Sequence, residues 1–221
     1  MNVLILGATG MVGQAVLREC LLDDAVTRVV TLGRRPAPQS HRKLRQIVHA
    51  DLYSLAPIES QLTDLDACFF CLGVSSFRMS EADYTRVTYD LTLSVATTLA
   101  RLDPGMTFVY VSGAGTDSTE RGRAMWARVK GRTENALLRL PFESAYMLRP
   151  AAIVPMHGIK SRTFWYRALY TLLTPVALSL GRFFPKYVTT SERVGKAMLR
   201  LARTGYRTPV VENLELDEIG R

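Results

Sequence analysis

The chain has 221 residues, of which 48% are hydrophobic and 22% charged, enough for one domain with a sizeable core and ordinary for a soluble globular protein. Its formal net charge of +8 favours anionic partners, but the basic residues come in scattered pairs rather than in a long run, which sets nucleic acid aside. Three cysteines, Cys20, Cys68 and Cys71, are too few and odd in number for a disulfide scaffold; they point to a reducing compartment, expected to be the cytoplasm.

Residues 3–6 are a short continuous apolar run, as expected of a parallel strand buried on both faces. Gly7-Ala8-Thr9-Gly10-Met11-Val12-Gly13 follows at once and opens a helix predicted over 11–22. In such a turn Gly7 permits tight reversal, Gly10 lets backbone approach a pyrophosphate, and Gly13 allows helix and strand to pack closely. The helix start then offers unpaired N–H groups and partial positive charge to the phosphates, with Thr9, Met11 and Val12 in the same turn. Strand before and helix after are both present, the context that gives the glycine spacing its meaning.

A second strand over 29–32 ends in Gly33-Arg34-Arg35. A site for NAD usually carries an acid there for the ribose hydroxyls; two arginines instead suit the 2′-phosphate of NADP, unless they are plain surface residues. A third strand over 45–49 leads to Asp51-Leu52. Asp51 fits two roles equally, accepting from an adenine amino group with Leu52 on the ring, or forming an ordinary turn. After a short helix at 57–62, the strand 67–72 closes in Cys71-Leu72-Gly73, where a small backbone would pass the cofactor ribose. Cys68 and Cys71, three apart on a strand, face opposite sides and read as buried small residues rather than as a redox pair.

A long helix spans 80–102 with Tyr84, Val87, Leu91 and Val95 at helical spacing. A strand at 107–112 ends in Ser112, a helix at 124–138 carries Lys130, and a strand at 144–148 closes in Arg149-Pro150. Tyr146 and Arg149 read as packing and surface residues. Strands alternating with helices imply right-handed βαβ units and a Rossmann-type, doubly wound, mostly parallel α/β sheet with helices on both faces. All 221 residues form one such domain, with 156–221 partly a small C-terminal helical cap. There an aromatic segment, 164–184, has basic flanks; core packing, a substrate pocket, a dimer face and a peripheral membrane surface all remain open for it. An amphipathic helix follows over 191–204. The three histidines, His41, His49 and His157, are scattered, and no metal site is expected.

The combination Gly7-x-x-Gly10-x-x-Gly13, Gly33-Arg34-Arg35, Asp51-Leu52, Cys71-Leu72-Gly73, Ser112 and Lys130 resembles the atypical short-chain dehydrogenase/reductases, in the branch of Tat-interacting and nucleoside-diphosphate-sugar-epimerase-like proteins. The resemblance covers most of the chain, best up to about residue 155. It implies a catalytic Ser at Ser112 and a Lys at Lys130, which would also hold the nicotinamide ribose. It also implies backbone contacts to the nicotinamide amide from Pro150 to Ile153. The superfamily's Tyr, four residues before the Lys, is absent: Trp126 stands there, and an indole cannot shuttle a proton at neutral pH. The implied function is NADP-dependent hydride exchange with an unknown carbonyl or alcohol, Tyr84, Tyr89, Tyr166 or water supplying the proton. The alternative is a non-catalytic NADP-binding regulator or redox sensor. The expected partner is a small molecule, on a monomer or homodimer.

Overall fold

In a computed structural model, which describes residues 1–159 and 186–221, the apolar runs become strands of one central sheet. They are β1 (Asn2–Leu6), β2 (Arg28–Gly33), β3 (Leu44–Val48), β4 (Ala67–Phe70), β5 (Thr107–Val111) and β6 (Ser144–Arg149). Two short strands, β7 (Ala152–Val154) and β8 (Val188–Thr190), pair with each other, and β9 (Val210–Glu212) joins the central sheet. The order is β3-β2-β1-β4-β5-β6-β9, and all neighbours are parallel. The chain runs outward from β1 to β3, then returns to lay β4 on the other side of β1. Loops leaving β1 and β4 therefore diverge and open a crevice at their carboxyl ends, where ligands of such sheets bind.

The helices are α1 (Met11–Leu22), α2 (Glu81–Thr85), α3 (Leu91–Leu102), α4 (Met125–Leu137), α5 (Ser191–Thr204) and α6 (Asn213–Ile219). A π turn, Arg86–Asp90, joins α2 to α3 into the single long helix expected from sequence. Ser80 starts it, its hydroxyl accepting the Asp83 N–H at 3.1 Å. Alternation along the strands divides the core. Val3, Ile5, Phe69, Val109 and Leu148 pack with Val16 and Leu17 of α1 and Val194 and Met198 of α5. Leu4, Leu6, Phe70, Phe108 and Met147 pack with Val95 and Leu99 of α3 and Leu137 of α4. Helices thus cover both faces. The C-terminal residues are built into this sandwich, α5 against α1 and β9 against β6. Cys68 lies in the α3–α4 side of the core, and Cys71 packs against the α1–α5 side. The aromatic segment 164–184 lies outside the described residues; among these, no helix is long and apolar enough to cross a membrane.

Candidate active site

The turn after β1 leaves room for glycine only at Gly7 and Gly13. Gly7 has φ +82°, and a Cβ there would stand 2.7 Å from the Cys71 carbonyl carbon and oxygen at the end of β4. A Cβ on Gly13 would meet the Gly7 oxygen at 2.1 Å. The Gly10 N–H donates to the Gly7 carbonyl at 2.8 Å, which fixes the turn. Gly10 is also the residue before α1; no side chain caps this helix and its first turn holds no acid. Met11 and Val12 turn their side chains to the core, leaving the N–H groups of the first turn for an anion.

A cleft of about 840 Å³ opens over this turn. Gly7, Thr9, Gly10, Arg34, Arg35, Asp51, Leu52, Cys71, Leu72 and Gly73, drawn from four separate stretches of sequence, all line it. Arg34 and Arg35 are exposed and make no ion pair among the described residues. The sequence at the end of β2 carries no acid, and the place of both arginines on the cleft suits the phosphate of a dinucleotide. Asp51 forms a turn, one oxygen accepting the Tyr53 N–H at 2.9 Å. Leu52 is nearly all buried in the core beneath. Burial pushes the Cys71 thiol up to about 12, so it is no thiolate nucleophile at neutral pH.

Ala37, Tyr53, Val87 and Leu91 also line the cleft, and sequence reasoning missed them. Val87 and Leu91 sit at helical spacing that fitted a core stripe equally well; the π turn that carries Val87 to the cleft leaves no mark in a hydrophobic pattern. The Tyr53 hydroxyl donates to the Arg86 carbonyl at 3.1 Å, tying the floor of the cleft to that turn.

Ser112, Lys130, Pro150 and Ile153 are not lining residues of this cleft. They lie further along the same sheet edge, beyond β5 and β6. Lys130 reaches back from α4 to donate to the Ser112 carbonyl at 3.3 Å, with its nitrogen 5.3 Å from the Tyr110 ring centroid. Burial draws the ammonium down to about 8, against the pull of Glu134, which raises it. The Ser112 and Thr116 hydroxyls share a hydrogen bond of 2.9 Å. Trp126, one turn before Lys130, lays its ring on the same loop: a Cβ on Gly115 would stand 3.5 Å from it. Pro150 is buried, its carbonyl accepting the Ala114 N–H at 2.9 Å, and Ile153 belongs to the core. Tyr84 is buried, which raises its phenol, and Tyr89 lies under the Arg132 guanidinium at 4.6 Å. Tyr166 lies outside the described residues.

Arg149, which sequence placed at the surface, is buried. Two of its nitrogens hold the Glu134 carboxylate at 3.1 and 2.5 Å, and a third holds Glu212 at 3.0 Å. These two carboxylates neutralise the charge that argued for exposure.

A Rossmann sheet with a glycine turn under an uncapped helix defines a dinucleotide-binding protein. The family model for the NAD dependent epimerase/dehydratase family matches residues 3–121, and the chain belongs to this family of NAD(P)-binding proteins. It is 34% identical over 161 residues to the protein fmp52, mitochondrial, of Emericella nidulans, covering 69% of this chain and 66% of the relative. It is 31% identical over 228 residues to the protein FMP52, mitochondrial, of Eremothecium gossypii, covering 98% and 96%. Among solved structures, MoeE5 in complex with UDP-glucuronic acid and NAD superposes with a TM-score of 0.69 at 21% identity, over 96% of this chain and 76% of that one. The ADP-L-glycero-D-manno-heptose-6-epimerase of Helicobacter pylori gives 0.68 at 17%, over 96% and 76%. At such identities these structures share the fold.

The mitochondrial names of the relatives correct the expectation of a cytoplasmic protein. Unpaired thiols mark a reducing compartment and do not tell one such compartment from another.

Proposed function

We propose that this protein is an NADP-dependent oxidoreductase-like enzyme that exchanges hydride with a carbonyl or alcohol substrate. The observation that carries the NADP preference is the pair Arg34 and Arg35, unpaired among the described residues, on the cleft at the end of β2 where no acid stands. The glycine turn and the bare start of α1 suit the pyrophosphate. Cys71, Leu72 and Gly73 form the opposite wall. A bound nicotinamide dinucleotide supplies the hydride. Beyond this cleft Lys130 and Ser112 follow along the same sheet edge, and the lysine suits a ribose hydroxyl.

Fluorescence titration with NADPH and NADH tests the preference. NADPH binds tighter in the native protein, and changing Arg34 and Arg35 together to Ala weakens NADPH by about 10- to 100-fold, the worth of lost charge-assisted hydrogen bonds. NADH binding as tight as NADPH would overturn the reading. A second reading rests on Trp126, whose indole cannot shuttle a proton at neutral pH. In it the protein binds NADP without turning over and serves as a regulator or redox sensor. Tight NADPH binding with no consumption over a panel of carbonyls favours that one.

A further inference from the structure

We propose that Tyr53 is a positioning residue for the base of the bound dinucleotide: it braces the π turn Arg86–Asp90 and so sets Val87 and Leu91 as an apolar wall against the face of the adenine. The inference rests on the cleft being a dinucleotide site, and it holds whichever of NADP and NAD is preferred and whether or not hydride is exchanged.

The direction of the cleft places the base. The glycine turn and the start of α1 suit the pyrophosphate. From there the lining runs toward the outer strands, past Arg34 and Arg35 at the end of β2, to Ala37 and to Tyr53 after β3. Ser112 and Lys130 lie the other way, beyond β5. The base therefore falls on the β3 side. Val87 and Leu91 reach that side from the helix between β4 and β5. Their side chains offer only apolar surface, and such a surface takes a base by its flat face.

This wall depends on an unusual turn. The Leu91 N–H donates to the Arg86 carbonyl five residues back, one residue wider than an α turn. Turns of this kind are rare and concentrate at functional sites. The same carbonyl accepts a second donor, the Tyr53 hydroxyl, at 3.1 Å. Tyr53 is itself fixed at both main-chain groups. Its N–H donates to the Asp51 carboxylate at 2.9 Å, and its carbonyl accepts the Ser94 hydroxyl at 2.6 Å. The Arg86 guanidinium stands 5.9 Å from the centroid of its ring. With its hydroxyl and one ring face both committed to Arg86, Tyr53 acts on the base through the turn. On the far side of the turn Tyr89 lies under Arg132 of α4 at 4.6 Å, so the brace works against a fixed support.

Tyr53→Phe keeps the ring and removes the brace. The Arg86 carbonyl retains the Leu91 N–H, so the variant folds. In fluorescence titrations NADPH and NADH each bind it about 3- to 10-fold more weakly than the native protein, the worth of one hydrogen bond. Both weaken by the same factor, because they share the base. The etheno-adenine analogue of NADP supplies a readout that a loss of stability alone does not move. At saturation the fluorescence anisotropy of its base is high in the native protein and lower in Tyr53→Phe. Unchanged affinity in the variant, or weaker binding with unchanged anisotropy at saturation, overturns the role of Tyr53 and leaves the dinucleotide site standing. An analogue that does not bind the native protein, where NADPH does, overturns the apolar wall. Native protein that binds neither NADPH nor NADH overturns the proposal together with the dinucleotide site.

Discussion

A hydrogen atom is all that the α-carbon of Gly13 has room to carry, since a methyl group would sit 2.1 Å from the Gly7 oxygen. Both neighbours are backbone, Gly7 in a left-handed conformation and Ala8 after it, so neither can step aside without dismantling the turn. Gly13→Ala therefore abolishes measurable NADPH binding and lowers the melting temperature, read by fluorescence titration and by calorimetry. Gly73→Ala is the control: a Cβ there meets nothing within 4 Å, and folding is unaffected. The three glycines were legible because each spacing answers a separate steric demand. Trp126 was legible only as a departure, since sequence shows which residue fills a position and not what faces it. The drawn-down ammonium of Lys130 was not legible at all. It depends on burial beside Tyr110 and on Glu134 being occupied by Arg149, two facts of packing between elements far apart in the chain.

Arg149 and Glu134 join β6 to α4, and through Glu212 and the Ser118 hydroxyl they fasten β9 and the loop after β5 as well. Glu134 is 1% exposed. Removing the guanidinium alone leaves the buried Glu134 carboxylate without its cation, so Arg149→Met costs about 3–5 kcal/mol. Replacing Glu134 by Met in addition recovers much of this, because the pair is a poor investment against packed methylenes of similar volume. Urea unfolding of the two single variants and the double variant measures the coupling; additive losses would show that the pair acts as two independent groups. The elements themselves differ in legibility for a related reason. Strands β1 to β6 and helices α1, α4 and α5 announce themselves by apolar runs or helical periods long enough to read. The strand β9 has three residues, Val210, Val211 and Glu212, too few for any period, and is defined by its pairing with β6. The short strands β7 and β8 likewise exist through each other.

At the scale of the whole molecule, a cleft at the crossing between β1 and β4 is set into a chain of formal charge +8. That field draws anionic ligands toward it, and on the function proposed above Arg34 and Arg35 convert attraction into preference at one phosphate. A dinucleotide seated there contacts the ends of β1, β2 and β4 together, so it binds the folded chain and not the unfolded one. By mass action, NADPH at 100 times its dissociation constant then stabilises the fold by about 2.7 kcal/mol. For a domain of this size such a gain raises the melting temperature by about 5–10 °C. NADH at the same concentration gives a smaller rise, and the difference between the two is electrostatic in origin. The Debye length falls from about 10 Å at 0.1 M salt to about 3 Å at 1 M, so added salt lowers both rises and narrows the gap between the cofactors. Scanning calorimetry with each cofactor across that salt range checks both parts. A gap that ignores salt would assign the preference to shape rather than to the two arginines.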